Sequence, residues 1–178
     1  MPVLQFTGMY AVNEKLKDLS KSKIGKAPEK PTKELYQVAI DIDVEMMVRL
    51  VIVFSCLTMS MVRKNFDEGL GASIKKLTGG KKNDELANKF MGQASDDIKL
   101  TPGSLIEISR LPGYVLQTKV MGEVVSKVES ELLCRSYINM YLGDDALDKG
   151  AQEKFGMSLL SLFQILGLGN KVQVFHCG

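Results

Sequence analysis

Between Val48 and Leu160 the order of apolar and polar positions predicts a strand, two helices, a run of hairpin strands and two more helices. Met46 to Met59 is nearly continuous Val, Ile, Leu, Phe and Met, the pattern of a central strand covered on both faces. From Ser60 the period lengthens. Val62, Phe66, Leu70, Ile74 and Leu77 recur every three or four residues until Gly79 and Gly80 stop them, which predicts an amphipathic helix. Asn83 is suited to cap a shorter helix through Leu86, Phe90 and Met91. Thr101-Pro102-Gly103 turns into a strand over Ser104 to Arg110, Pro112-Gly113 reverses the chain into Tyr114 to Val120, and Gly122 opens the turn to a third short strand. Ser130 is read as the cap of a helix carrying Leu133, Tyr137 and Tyr141 and closed by Gly143; Asp148 starts the last helix, through Phe155, Leu159 and Phe163 to Gly167. Upstream, Val3 to Val12 reads as a strand with a bulge or close backbone approach at Gly8, and Pro31 to Ile40 as a short helix capped by Thr32.

These elements define an α+β class and one domain over residues 1–166, with a basic linker at 13–34 inside it and a tail at 167–178. With 178 residues, 45% of them hydrophobic, the chain can bury a sizeable core. The ten methionines are read as core filling before any plastic acyl pocket.

Charge and reactive residues narrow the function. A formal net charge of +2, with both signs interspersed, supplies no field for a phosphate backbone, so nucleic acid is not expected as a partner. Cys56, Cys134 and Cys177 are odd in number and far apart, which suits free thiols in a reducing compartment. His176 is the only histidine and no CxxC occurs, so neither a metal site nor Ser-His or Cys-His catalysis is expected. Asp144, Asp145 and Asp148 lack the glycine and spacing of a calcium loop and are read as turn and cap residues. Gly79-Gly80-Lys81-Lys82 follows a helix and is read as its C-terminal stop, without the spacing of a phosphate loop. The longest apolar stretch, Met46 to Val62, contains Arg49 and falls short of the ~20 residues of a membrane span. The first residues show neither a secretory signal nor an import leader.

The segments VRLVIVFSCLTMSMVRKNFDEGLGASIKKL and ELLCRSYINMYLGDDALDK, with the opening TGMYAV, resemble the chalcone isomerase fold family, and within it the plant plastid fatty-acid-binding branch. The resemblance covers about Thr7 to Leu160 and implies an open-faced sandwich, an antiparallel sheet covered by helices, with the family's first strands expected to be missing ahead of Met1. In the family's enzymes a cation and hydroxyl donors assist attack of a phenolate on an enone. At the matching positions stand Gln5, Met61, Glu68 and Cys134, and the strand bearing the arginine is absent. Met61 donates no hydrogen bond, and Glu68 would oppose ionisation of a phenolate, so no catalytic residue is expected.

What the resemblance implies instead is a cleft that binds a fatty acid or similar amphipathic acid, without a cofactor. Its expected lining is Gln5, Met61, Lys64, Asn65, Glu68, Cys134 and Arg135. Fatty-acid-binding members of the family clamp the carboxylate with an arginine and a tyrosine. Here Arg49 or Arg63, or Arg135 from the lining, could substitute for the missing arginine, although the ordinary reading of each is an ion pair at the surface. The resemblance also implies the chloroplast stroma and a place in fatty-acid metabolism, with the cytosol as the expectation if the chain is complete. The alternatives are a divergent chalcone isomerase or a non-catalytic partner in a lipid or flavonoid pathway.

Overall fold

The structure, a computed structural model, describes residues 4–11, 29–164 and 173–176, except for the side chains of residues 5 and 6 and those after 161. The elements are β1 (Leu4–Ala11), α1 (Lys33–Asp41), β2 (Met46–Ile52), α2 (Met59–Leu77), α3 (Asp84–Lys89), β3 (Leu105–Leu111), β4 (Val115–Val120), β5 (Glu123–Glu129), α4 (Glu131–Leu142), α5 (Lys149–Gln164) and β6 (Gln173–His176). All strand pairs are antiparallel, in the order β5-β4-β3-β2-β1-β6.

Alternation along each strand sends one set of side chains towards the helices and leaves the other outward. Met46, Val48, Leu50 and Ile52 of β2 are buried beside Ile106 and Ile108 of β3 and Leu116 and Val120 of β4. Against this face α2 lays Val62, Phe66, Leu70 and Ile74, and α4 lays Leu133 and Tyr137. Edge-on aromatic contacts fill the helical layer: Phe66 of α2 to Phe90 at the end of α3 at 5.5 Å, and Tyr137 to Tyr141 along α4 at 5.4 Å between ring centroids. The opposite face carries Met47, Arg49 and Val51, whose side chains are half-buried, and no helix among the described residues is seen to cover it. The architecture is therefore the expected α+β open-faced sandwich.

Local chemistry sets the element ends. Thr32, Thr58, Asn83 and Ser130 each accept a backbone N–H of the helix they precede, and Asp148 Oδ1 accepts from Ala151 at 2.9 Å. Met121 and Gly122 both take positive φ (50° and 84°), which closes β4 and β5 in a two-residue hairpin matching the sheet twist. The β3–β4 turn is held from outside. Asp43 accepts the N–H groups of Gly113 and Tyr114 at 2.7 and 2.9 Å, where both residues have positive φ.

Three expectations change. The run from Met46 to Met59 is not one strand covered on both faces: β2 ends at Ile52, Val53 to Cys56 are exposed, and α2 begins from Thr58 and not from Ser60. A continuous apolar run carries no period, so its extent and its covered face could not be read from it. Within the segment expected as a tail, Gln173–His176 pairs as β6 along β1, with Gly8 opposite His176. Of the basic linker, residues 13–28 lie outside the described residues, and its last two positions already belong to α1.

Candidate functional site

Residues that the family resemblance assigns to one cleft are dispersed by the fold. On α2 the buried stripe is Met59, Val62, Phe66, Leu70 and Ile74, so Met61, Lys64, Asn65 and Glu68 fall on the outward side and are exposed, Met61 by 45%. Lys64 and Glu68 border an open groove of about 400 Å³ between α2 and α3 that also holds Asp67, Lys75 and Lys82. Cys134 points the other way, into the core beneath α4, and is fully buried. Arg135 donates to Asp41 at 3.0 Å and ties α4 to the end of α1. Gln5 lies on β1, but its side chain is outside the described ones.

Where α2 meets α4, two small features bring the helices close. Gly69 leaves room for Met140: a Cβ there would stand 2.8 Å from Met140 Cε. Ser73 Oγ donates to the Ser136 carbonyl at 2.6 Å, and Asn139 Nδ2 donates to Ser73 Oγ at 3.2 Å. The seam is thus filled by a thioether side chain and short hydrogen bonds.

The arginines sort by what they already hold. Arg63 donates to the carbonyls of Met91 and Ala94 and to Asp96, fastening the loop after α3. Arg110, which the sequence reading passed over, is fully buried. Its guanidinium donates to the carbonyls of Val44, Ala39 and Ile40 at 2.9 to 3.0 Å, the last two from the final turn of α1. Burial pulls its pKa down to about 10, so it remains a cation at neutral pH. A signal for it existed in the sequence: two-residue alternation through Ile106 and Ile108 puts position 110 inward.

Arg49 alone among the three arginines weighed as carboxylate partners lies on the outward sheet face, and it is 35% exposed. Its NH1 donates to the Tyr10 hydroxyl at 3.1 Å, its NH2 to Glu107 at 3.2 Å, and its Nε is buried without a partner. The guanidinium carbon stands 5.0 Å from the centre of the Tyr10 ring. Gly8, opposite Arg49 in the register and next to a bulge, permits this arrangement, since a Cβ there would meet the Tyr10 ring at 3.0 Å. The close approach expected at Gly8 is therefore real.

Burial pushes the Cys134 thiol up to about 12, the reverse of what a nucleophile needs. Because the folded chain holds this proton more tightly than the unfolded one, the contribution is complete below pH 9 and lost as pH rises towards 12. Arg110 opposes it above about pH 10, where its neutral form relieves the cost of burial. The expected outcome in urea titrations is a fall in stability on the order of 1 kcal/mol from pH 9 to 10, absent in Cys134→Ala. An equal fall in that variant would assign the loss elsewhere. Among the described residues no cluster of three His, Cys, Asp or Glu could hold a metal ion, and no helix is long and apolar enough to cross a membrane.

An antiparallel sheet with helices over one face is the architecture of an open-faced sandwich of the chalcone isomerase kind. The comparisons with known proteins agree. The chain is 59% identical over 158 residues to Chalcone isomerase-like protein 1 of Humulus lupulus, covering 88% of this chain and 74% of that one. It is 35% identical over 151 residues to Fatty-acid-binding protein 1 of Arabidopsis thaliana, covering 83% of this chain and 54%, about half, of that one. The crystal structure of an Arabidopsis thaliana fatty-acid binding protein superposes with a TM-score of 0.81 and 34% identity, over 89% of this chain and 79% of that chain. No protein-family model matches. The chain belongs to the chalcone isomerase-like family, in the branch that includes the fatty-acid-binding proteins.

Proposed function

We propose that this chain is a non-catalytic protein that binds a fatty acid or a similar amphipathic acid. The observation that carries the reading is the dispersal of Met61, Glu68 and Cys134, two outward on α2 and one sealed in the core, in a chain 35% identical to a protein named for fatty-acid binding. Attack of a phenolate on an enone needs a cation, a hydroxyl donor and the substrate held together, and these positions supply no such set. Binding needs less: apolar surface and one cation for the carboxylate. The resemblance further suggests a place in plastid fatty-acid metabolism and the chloroplast stroma, and a protein partner in a lipid or flavonoid pathway.

One experiment separates binding from catalysis. Naringenin chalcone mixed with the protein is expected to lose its visible absorbance no faster than the spontaneous rate, while dodecanoic acid displaces a bound fluorescent fatty acid. Turnover well above the spontaneous rate would make the chain an isomerase. Absence of any acid-dependent displacement would remove the binding function.

A further inference from the structure

On α2, Lys64, Asp67, Glu68, Gly71, Ala72 and Lys75 recur at three- and four-residue spacing and form one stripe beside the buried one. That stripe is one wall of the groove of about 400 Å³, and Lys82, Asp84, Ala87 and Asn88 supply the other. Every residue of both walls is described. Arg63 donates to the Met91 carbonyl beyond the end of α3, while Asp84 at its start stands by Gly71, so α3 runs back along α2. Lys75 and Lys82 therefore lie to one side of Gly71 and Asp67 to the other, with Asp84 over it.

Three cations and three anions line this groove, and none of the six makes an ion pair among the described residues. Asp67 is the one that burial affects. Its Oδ1 is buried without a hydrogen bond, and Arg63, one turn earlier, sends donors to Met91, Ala94 and Asp96 instead. Burial holds the Asp67 carboxyl above the usual carboxylate range, against the pull of Arg63. A buried acceptor of this kind is destabilising until a donor reaches it. Between the charges the floor is small and apolar: Ala72, Ala87 and Gly71, where a Cβ would meet only the Asp84 carboxylate, at 3.9 Å.

We propose that the groove between α2 and α3 binds a small zwitterion of the ω-amino acid class: its ammonium lies between Asp67 and Asp84, its methylene spacer crosses Gly71, and its carboxylate meets Lys75 and Lys82. Asp67 and Lys75 are two helical turns apart, about 12 Å along the axis. A lysine side chain leans back towards the N-terminus of its helix, which shortens the gap between the charges by about one turn. Two opposite charges joined by a short apolar spacer match that gap, and a single charge of either sign leaves half of the groove unanswered. The site is independent of the fatty-acid-binding reading.

The test is an amide chemical-shift titration of the whole chain with ε-aminocaproic acid, beside its methyl ester, which keeps only the cation, and its N-acetyl derivative, which keeps only the anion. Wild type is expected to saturate in the millimolar range, with shifts centred on Asp67, Gly71 and Ala87, and to bind each single-charge analogue about fivefold more weakly. Asp67→Asn lowers the affinity for the zwitterion about tenfold and leaves the N-acetyl derivative unchanged. Lys75→Gln lowers it about threefold and leaves the methyl ester unchanged. Gly71→Leu fills the floor with a better helix former, so it abolishes binding without lowering the urea midpoint. The absence of a saturable shift in wild type would overturn the inference. So would analogues that bind as tightly as the zwitterion, or binding that survives Gly71→Leu.

Discussion

Arg110→Met is expected to lower the unfolding free energy by about 3 to 5 kcal/mol. The substitution keeps an unbranched apolar stem and removes the donors. Three carbonyls, from Ala39, Ile40 and Val44, are then left in an interior where Arg110 was the group that reached them. Two of the three end α1, so the helix loses both its last hydrogen-bond donors and the cation at the negative end of its dipole. For a domain whose total stability is on the order of 5 to 15 kcal/mol, that is enough to unfold part of the population at 37 °C. Urea unfolding measures it directly. A loss below about 1 kcal/mol would mean that water or a neighbouring donor reaches those carbonyls.

Tyr137→Ala is expected to cost about 3 to 5 kcal/mol, by a different route. Its ring is wholly buried, 5.6 Å from Phe90 and 6.4 Å from Phe66, and its hydroxyl lies 3.2 Å from that of Tyr141. Removing it opens a void between α4, α2 and the loop after α3, lined by rings too bulky to collapse inward. Tyr137→Phe keeps the ring and removes only the hydroxyl, so it is expected to cost about 1 kcal/mol. Comparing the two variants by urea unfolding separates packing from the hydrogen bond. Near-equal losses would place the energy in the hydroxyl.

Features with a local physical cause were legible in the sequence. The caps at Thr32, Asn83, Ser130 and Asp148 followed from short polar side chains standing before apolar periods, and the approach at Gly8 from a glycine inside a strand. The candidate site was harder to read. Correspondence with a family pattern fixes a place along a helix but not the side it faces, and each residue of offset turns a side chain by about 100°. Met61 and Glu68 therefore came out facing solvent while Cys134 came out inside. Arg110 and the Arg49–Glu107 pair depend on register across strands, which the sequence holds only as alternation within each one. The short strand β6 has its meaning through β1, more than 160 residues away in the chain, and no local pattern announces that partner.

The contact of Gly69 with Met140 carries a consequence for how this chain can vary. Position 69 has no side chain because position 140 fills its space, so the two sites constitute a single volume divided between two helices. Alanine at 69 requires only the end of the flexible Met140 side chain to swing aside, and a larger residue there becomes admissible when 140 shortens. A bulky substitution at 69 is therefore expected to be tolerated best when paired with a shorter residue at 140, which redraws the boundary between the helices without moving them.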